Sequence, residues 1–125
     1  MAEARLRVTD ETGETWDDPS ERQIQRLYAA LNLRCRFLVL ERLDVPEVGQ
    51  HYLQVALNDD LTVVVEYREG GSHTHYRAEV SLPSDRGGEE LVVPVLLDWA
   101  ARREGWRHEL PWVRWDPKNE RPRES

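Results

Sequence analysis

Residues 52–80, YLQVALNDDLTVVVEYREGGSHTHYRAEV, decide the fold. Apolar and polar side chains alternate in three runs within this stretch, residues 52–57, 61–68 and 73–80, and such alternation predicts strands that bury one face. Asn58-Asp59-Asp60 and Gly70-Gly71 separate the runs, and both are typical of tight hairpin turns. The stretch therefore predicts an antiparallel meander of three strands.

The same alternation assigns the side chains of the meander to two faces, because successive residues of a strand point to opposite sides of a sheet. The predicted buried face carries Leu53, Val55, Leu57, Leu61, Val63, Val65, Tyr67, Tyr76, Ala78 and Val80. The opposite face carries Thr62, Val64, Glu66, Arg68, His75, Arg77 and Glu79. We expect the polar side chains of this second face to meet solvent.

A helix is predicted before the meander and another after it. The first has Asp18 as its N-cap and Pro19 at the first helical position, and it ends near Asn32. Its apolar stripe is formed by Ile24, Leu27, Tyr28 and Leu31. The second helix spans residues 89–103 with Pro94 in its first turn, or else begins at Pro94.

The remaining segments predict the edges of the sheet. Residues 4–9 and 36–43 are predicted strands, residues 10–21 a polar turn, and residues 112–115 a closing strand. The predicted fold class is α+β: an antiparallel sheet of about 4–6 strands with two helices packed on one face, in the order β-α-β-β-β-β-α-(β). Residues 1–116 form a single domain, and residues 117–125 are predicted to be disordered because they lack an apolar anchor.

Composition excludes several functional classes. The 125 residues carry a formal net charge of −7 and one cysteine, Cys35, which indicates a reducing compartment. No apolar run is long enough to cross a membrane, and the N-terminus lacks the apolar core of a secretory signal, so we expect a cytoplasmic protein. The acidic balance disfavours nucleic acid as a partner. Residues 1–21 alone hold seven acidic residues against two arginines, a field that would steer a basic protein.

No sequence motif predicts catalysis, a cofactor or a metal. Cys35 lies between Arg34 and Arg36, which could activate a thiol, but an ordinary apolar role at a strand edge is favoured. His73 and His75 have the spacing of metal ligands on a strand, yet they are too few for a zinc site. The paired acids 17–18, 59–60 and 89–90 lie in turns or at helix starts, where capping and solubility explain them. We therefore expect no catalytic residues, cofactor or metal.

Five tryptophans are numerous for a domain of this size. Trp99 is predicted to lie in the core. Trp106, Trp112, Trp115 and Trp16 are interpreted either as a cover over the open end of the sheet or as exposed anchors for a partner.

The succession DPS, FLVLER, GQHYLQVALND, VVVEYREGG and GWRHELPW, with a helix before the last segment, resembles bacterial immunity proteins. It is similar to the first-numbered Imm family of polymorphic toxin systems, often encoded beside deaminase-type toxins in actinobacteria. The resemblance spans roughly residues 5–115 and implies an α+β fold and a non-enzymatic role. That role would be to bind and block a cognate toxin domain.

An acidic inhibitor could enter the basic active-site cleft of a toxin that acts on nucleic acid. The predicted partner-binding residues are Trp16, Asp17, Asp18, Asp59, Asp60, Glu66 and Glu69. The expected partner is a cognate protein toxin domain, of deaminase or nuclease type, and the chain itself is expected to be a monomer or a weak homodimer. The alternative is a self-associating binding module or chaperone-like protein that dimerises through the outer face of its sheet; a small enzyme with a concealed site is a third reading.

Overall fold

The described residues form eight strands and two α-helices. The computed structural model describes residues 4–47, 49–81, 88–118 and 120–122. The strands are β1 (Leu6–Asp10), β2 (Thr15–Asp17), β3 (Phe37–Arg42), β4 (His51–Leu57), β5 (Val63–Glu69), β6 (His75–Val80), β7 (Val113–Asp116) and β8 (Arg121–Pro122). The helices are α1 (Glu21–Ala29) and α2 (Glu89–Ala100), and 3₁₀ turns lie at Ser72–Thr74 and Gly105–His108.

All strands belong to one antiparallel sheet in the order β2-β1-β3-β4-β5-β6-β7-β8. The predicted α+β class and the central meander are confirmed. The predicted strand count of about 4–6 is too low, because β2 and β8 were not foreseen. Thr15–Asp17 forms a strand inside the predicted polar turn, since it pairs back onto β1 with Trp16 opposite Val8. A strand of three residues is too short to show alternation in its sequence, and β2 forms because β1 is available to pair with it.

One face of the sheet and both helices share a single core. The register aligns Val8, Leu40, Leu53 and Tyr67 across four neighbouring strands. The helices contribute Ile24, Tyr28, Val92, Val93, Val95, Leu96 and Trp99 to the same buried cluster. The other face of the sheet is covered by no helix of the described chain, and we call it the uncovered face. Trp99 is completely buried, which confirms its predicted core position.

Helix α1 begins later than predicted. Ser20, not Asp18, is its N-cap, and the Ser20 hydroxyl accepts a hydrogen bond from the amide of Gln23. Asp18 instead has a left-handed backbone (φ 48°), and its carboxylate accepts the amides of Arg5 and Leu6 at 3.0 Å. The helix also ends at Ala29, before the predicted Asn32.

Helix α2 contains a proline in its interior. It runs from Glu89 to Ala100, so Pro94 lies beyond the first turn to which we assigned it. A proline has no amide hydrogen, which leaves the carbonyl of Glu90 without its helical donor. Glu90 and Pro94 are both exposed, so water can satisfy that carbonyl and the helix continues through the proline.

The two hairpin connections of the meander are longer than the predicted tight turns. Residues 58–62 join β4 to β5, and Leu61, which we placed in a strand, lies in this connection with φ 70°. Residues 70–74 join β5 to β6 and include the 3₁₀ turn Ser72–Thr74. Gly70 has φ 99°, a conformation that favours glycine, whereas the backbone of Gly71 is extended.

An aromatic cluster closes the core where the C-terminal segment returns to the sheet. The ring of Tyr67 stacks on Tyr76 at 4.9 Å and meets the edges of Trp106 and Trp112, each at 4.7 Å between centroids. The indole N–H of Trp112 donates to the carbonyl of Trp106 at 3.2 Å. Trp106 and Trp112 therefore cover the open end of the sheet rather than serve as exposed anchors.

The C-terminal residues extend the sheet by a short hairpin. Arg121 and Pro122, which lie in the tail predicted to be disordered, form β8 and pair with Asp116 and Trp115. Residues 123–125 lie outside the described residues. In the described part of the chain, no helix is long and apolar enough to cross a membrane.

Truncation of the Trp106 side chain should destabilise the protein strongly. Trp106 is 1% exposed and contacts two other aromatic rings, so Trp106→Ala should lower the free energy of unfolding by about 3–5 kcal/mol. Trp115→Ala is the matched control, because Trp115 is half-buried beneath Arg77 on the uncovered face. Urea unfolding measures both losses, and equal losses would contradict the assigned packing.

Candidate partner-binding surface

The antiparallel topology brings several acidic connections to one end of the sheet. Strands β1, β4 and β6 finish at this end, α1 ends there, and α2 begins there. Among the residues that the structure describes, the exposed carboxylates on these connections and on the first turn of α2 are Glu11, Glu14, Asp59, Asp60, Glu89 and Glu90. We call this surface the acidic end. The basic residues at this end are Arg34 and Arg36 on the described connections and Arg26 in the last turn of α1, so the six carboxylates outnumber them.

Hydrogen bonds through Arg36 link three of these connections. Its amide donates to Glu11 Oε1 at 2.9 Å, and its guanidinium Nη1 donates to Asp59 Oδ1 at 2.7 Å. Arg36 lies just before β3, while Glu11 follows β1 and Asp59 follows β4. The three connections therefore form one contiguous surface. The Asp59 side chain is 89% exposed even in this pair, so it remains accessible to a partner.

The acidic turns are held by their own side chains. Asp10 Oδ1 accepts the amide and hydroxyl of Thr12, at 2.9 and 2.6 Å, and Asp60 Oδ1 accepts the amide of Thr62 at 3.0 Å and also its hydroxyl. The hydroxyl and amide of Thr62 lower the pKa of Asp60, and those of Thr12 lower the pKa of Asp10. These turns therefore present ionised carboxylates in a fixed arrangement.

Two large apolar side chains are exposed at the acidic end. Leu33 is 46% exposed and Leu91 is 41% exposed, and they are two of the three exposed large hydrophobic residues in the described chain. Asn32 holds the loop around Leu33, because its side-chain oxygen accepts the amides of Arg34 and Cys35 at 2.7 and 3.0 Å. Apolar anchors within a charged rim are the usual composition of a protein-binding surface.

The predicted partner-binding residues are spread over several surfaces. Asp59 and Asp60 lie at the acidic end. Asp17 and Glu66 lie on the uncovered face, where Asp17 accepts a hydrogen bond from Arg7 at 2.7 Å. The carboxylate of Glu66 lies 3.7 Å from both His75 and Arg77.

The other three predicted residues have internal partners. Trp16 faces the helices and packs half-buried against the core, so it is not the exposed anchor that the sequence suggested. Asp18 caps the amides at the start of β1, and Glu69 accepts a hydrogen bond from Arg107 at 2.5 Å. Glu11, Glu14, Glu89, Glu90, Leu33 and Leu91 were not selected from the sequence. The concentration of acids before residue 22 and the Glu89-Glu90 pair were the available signals.

His75 is buried although it lies on the uncovered face, where we expected a solvent-facing side chain. It is 2% exposed, because Tyr52 packs against its ring at 6.0 Å and Arg68 lies beside it. Arg68 Nε donates to His75 Nδ1 at 3.1 Å, which assigns the ring proton to Nε2 in the neutral form. A dense layer of long side chains on this face therefore shields the imidazole without a covering helix.

The candidate chemical groups of the sequence remain separate in the structure. In the described ranges, no group of three or more His, Cys, Asp or Glu side chains is placed to hold a metal ion. His73 lies in the 3₁₀ turn and is exposed, whereas His75 is buried in β6. Cys35 is half-buried just before β3, and its thiol is free.

No protein-family model, curated protein or solved structure matches this chain. Functional inference consequently depends on the geometry of the surfaces described above. The acidic end is the surface that combines exposed like charge with exposed apolar side chains.

The Asp60–Thr62 turn should stabilise the protein in a pH-dependent way. A carboxyl whose pKa is lowered by folding stabilises the native state above its unfolded pKa, about 3.9, and loses this contribution as the pH falls through the folded value. Asp60→Asn should therefore lower stability at neutral pH and have little effect in strong acid. Urea unfolding at both pH values measures the difference. In a Thr62→Val background the pH dependence should shrink, and an unchanged difference would contradict the assigned cause.

Proposed function

We propose that the protein is a non-enzymatic immunity protein that binds a cognate toxin domain, of deaminase or nuclease type, and occludes its active site. The acidic end forms the contact. Its carboxylates enter the basic cleft with which such a toxin holds nucleic acid, and they take the place of the phosphates. This proposal agrees with the resemblance seen in the sequence. It differs in the contact residues, because Trp16, Asp17 and Asp18, which the sequence suggested, do not lie at the acidic end.

The observation that supports the proposal is that the exposed side chains of Leu33 and Leu91 lie on the same surface as the exposed carboxylates of the acidic end. Charge complementarity raises the association rate and excludes partners of the wrong sign, but screened surface charges add little affinity by themselves. Buried apolar anchors supply that affinity. The acidic end offers both, and Asp59 and Asp60 are the predicted residues that it retains.

The other large surfaces fit a basic partner less well. Four carboxylates, Asp17, Glu41, Glu66 and Glu79, share the uncovered face with three arginines, Arg7, Arg68 and Arg77. At the end opposite the acidic end, arginines 5, 42, 102, 103 and 107 are interspersed with carboxylates, and Arg5, Arg102, Arg103 and Arg107 form ion pairs there. Neither surface would present the continuous negative field that a nucleic-acid-binding cleft attracts.

Charge reversal at the acidic end should abolish protection. The test coexpresses the chain with the toxin domain encoded beside its gene and measures cell growth and the affinity of the purified complex. Asp59→Lys combined with Glu90→Lys should raise the dissociation constant about tenfold or more, mainly by slowing association. Leu33→Ser should raise it mainly by speeding dissociation, because it removes an apolar anchor.

Glu47→Lys combined with Glu109→Lys is the matched control. It makes the same change in net charge at exposed positions outside the acidic end. The control should retain protection and affinity. If the two charge-reversed pairs protect equally well, or if the toxin domain does not bind the parent chain, the proposal is wrong.

The uncovered face favours a second candidate, a module that self-associates through its sheet. Val113 is 47% exposed on this face, and the nearly balanced charges of the face could pair with those of a second copy. Sedimentation equilibrium distinguishes the two proposals. A stable dimer that dissociates when Gln54, also on this face, is replaced by Arg would favour self-association. A monomer at high concentration would exclude it.

A further inference from the structure

A cavity of about 520 Å³ lies at the end of the sheet opposite the acidic end. It opens between the start of β1, the segment before α1, the last residue of β3 and the C-terminal turn of α2. Its apolar wall is formed by Leu6, Ile24, Leu97 and Ala100. This volume is within the range of small-molecule sites, about 300–1,000 Å³.

Arg42 contributes a guanidinium without a carboxylate partner to this cavity. Its charged group stacks on Trp99 at 4.2 Å, and its Nη2 donates to the Trp99 carbonyl at 3.1 Å. Its Nε is buried and has no hydrogen-bond partner. No carboxylate of the described chain lies within 4.0 Å of the Arg42 guanidinium. The nearby acids Glu69 and Glu104 form ion pairs with Arg107 instead. Burial lowers the pKa of Arg42, and the positive charge of Arg102 lowers it further.

The rim of the cavity already shows how its arginines bind a carboxylate. Asp44 is held between two guanidinium groups, by Arg5 Nε at 3.1 Å on one oxygen and by Arg102 on the other. Both arginines also line the cavity. The ion pairs with Asp44 fix Arg5 and Arg102 next to Arg42. Three guanidinium groups therefore surround a space that is partly apolar.

The two acids of the cavity wall do not neutralise Arg42. Asp18 accepts two main-chain amides through its Oδ1. The side chain of Glu21 is 63% exposed, and its ion pair is a 3.9 Å contact with Arg103 on the outer side. The half-buried charge of Arg42 therefore lacks a counter-ion, a situation that proteins usually relieve with a bound or built-in anion.

We propose that this cavity binds a small carboxylate with a short hydrocarbon chain. The carboxylate pairs with the guanidinium of Arg42, and the hydrocarbon packs against Leu6, Ile24 and Leu97. An apolar wall favours a ligand that carries carbon over a bare inorganic anion. A guanidinium offers parallel donors that match the two oxygens of a carboxylate. The site is separate from the acidic end and does not depend on the proposed function.

Titration with hexanoate tests the site directly. Amide and indole NMR shifts of the full chain are followed at constant ionic strength, with acetate and inorganic phosphate as parallel probes. Hexanoate should bind saturably, shift the Trp99 indole signal, and bind about tenfold or more tightly than acetate because of its longer chain. Phosphate binding tighter than hexanoate would overturn the assigned ligand class, and shifts that never saturate would overturn the site.

Substitutions locate the binding. Arg42→Gln should weaken hexanoate binding at least about tenfold, the loss that removing a charge-assisted pair produces, whereas Arg36→Gln at the acidic end should leave it unchanged. Ala101→Glu covers the case in which Arg42→Gln does not fold, because Ala101 is an exposed cavity residue and a carboxylate there would compete with the ligand. The assignment is wrong if Ala101→Glu binds hexanoate as tightly as the parent chain. It is also wrong if Arg42→Gln folds and binds hexanoate as tightly as the parent chain.

Discussion

Antiparallel strand pairing determines where each connection of this fold lies and which charges come together. Because each strand reverses direction, alternate connections emerge at the same end of the sheet. The turns after β1 and β4 and the start of α2 carry acids, and they meet at one end although they are up to about eighty residues apart in sequence. Arg36 joins two of them through Glu11 and Asp59. The charge distribution of the molecule is therefore a consequence of its topology as much as of its composition.

The sequence predicted the elements that carry a periodic signal. The alternation in β4, β5 and β6 predicted their two faces correctly, and most side chains assigned to the core face are buried there. Val64 and His75 are the exceptions, because both are buried on the opposite face. Strands β2 and β8 could not be foreseen, since two or three residues have no measurable period and form only when a neighbour offers its hydrogen bonds. The burial of His75 had no local signal either, because it results from Tyr52 and Arg68 on adjacent strands.

The sequence predicted the negative charge of the candidate site but not its position on the fold. Net charge indicated a basic partner, and Asp59 and Asp60 were selected for their charge and expected exposure. Trp16 and Glu69 were misplaced as exposed contacts, since both face the helices. Leu33 follows the first predicted helix and Leu91 lies at the start of the second, and their exposure follows only from how α1 ends and α2 begins. The two ends of the sheet thus offer different chemistry: acids with leucines at one, arginines around a cavity at the other.

Hydrogen–deuterium exchange of the chain with and without the proposed toxin partner is the sharpest test of the contact assigned to the acidic end. Binding should slow exchange in residues 10–14, 32–36, 58–62 and 89–91, the segments of the acidic end, with little change elsewhere. Protection confined to the uncovered face at β4–β6, or to the residues around Arg42, would contradict this assignment.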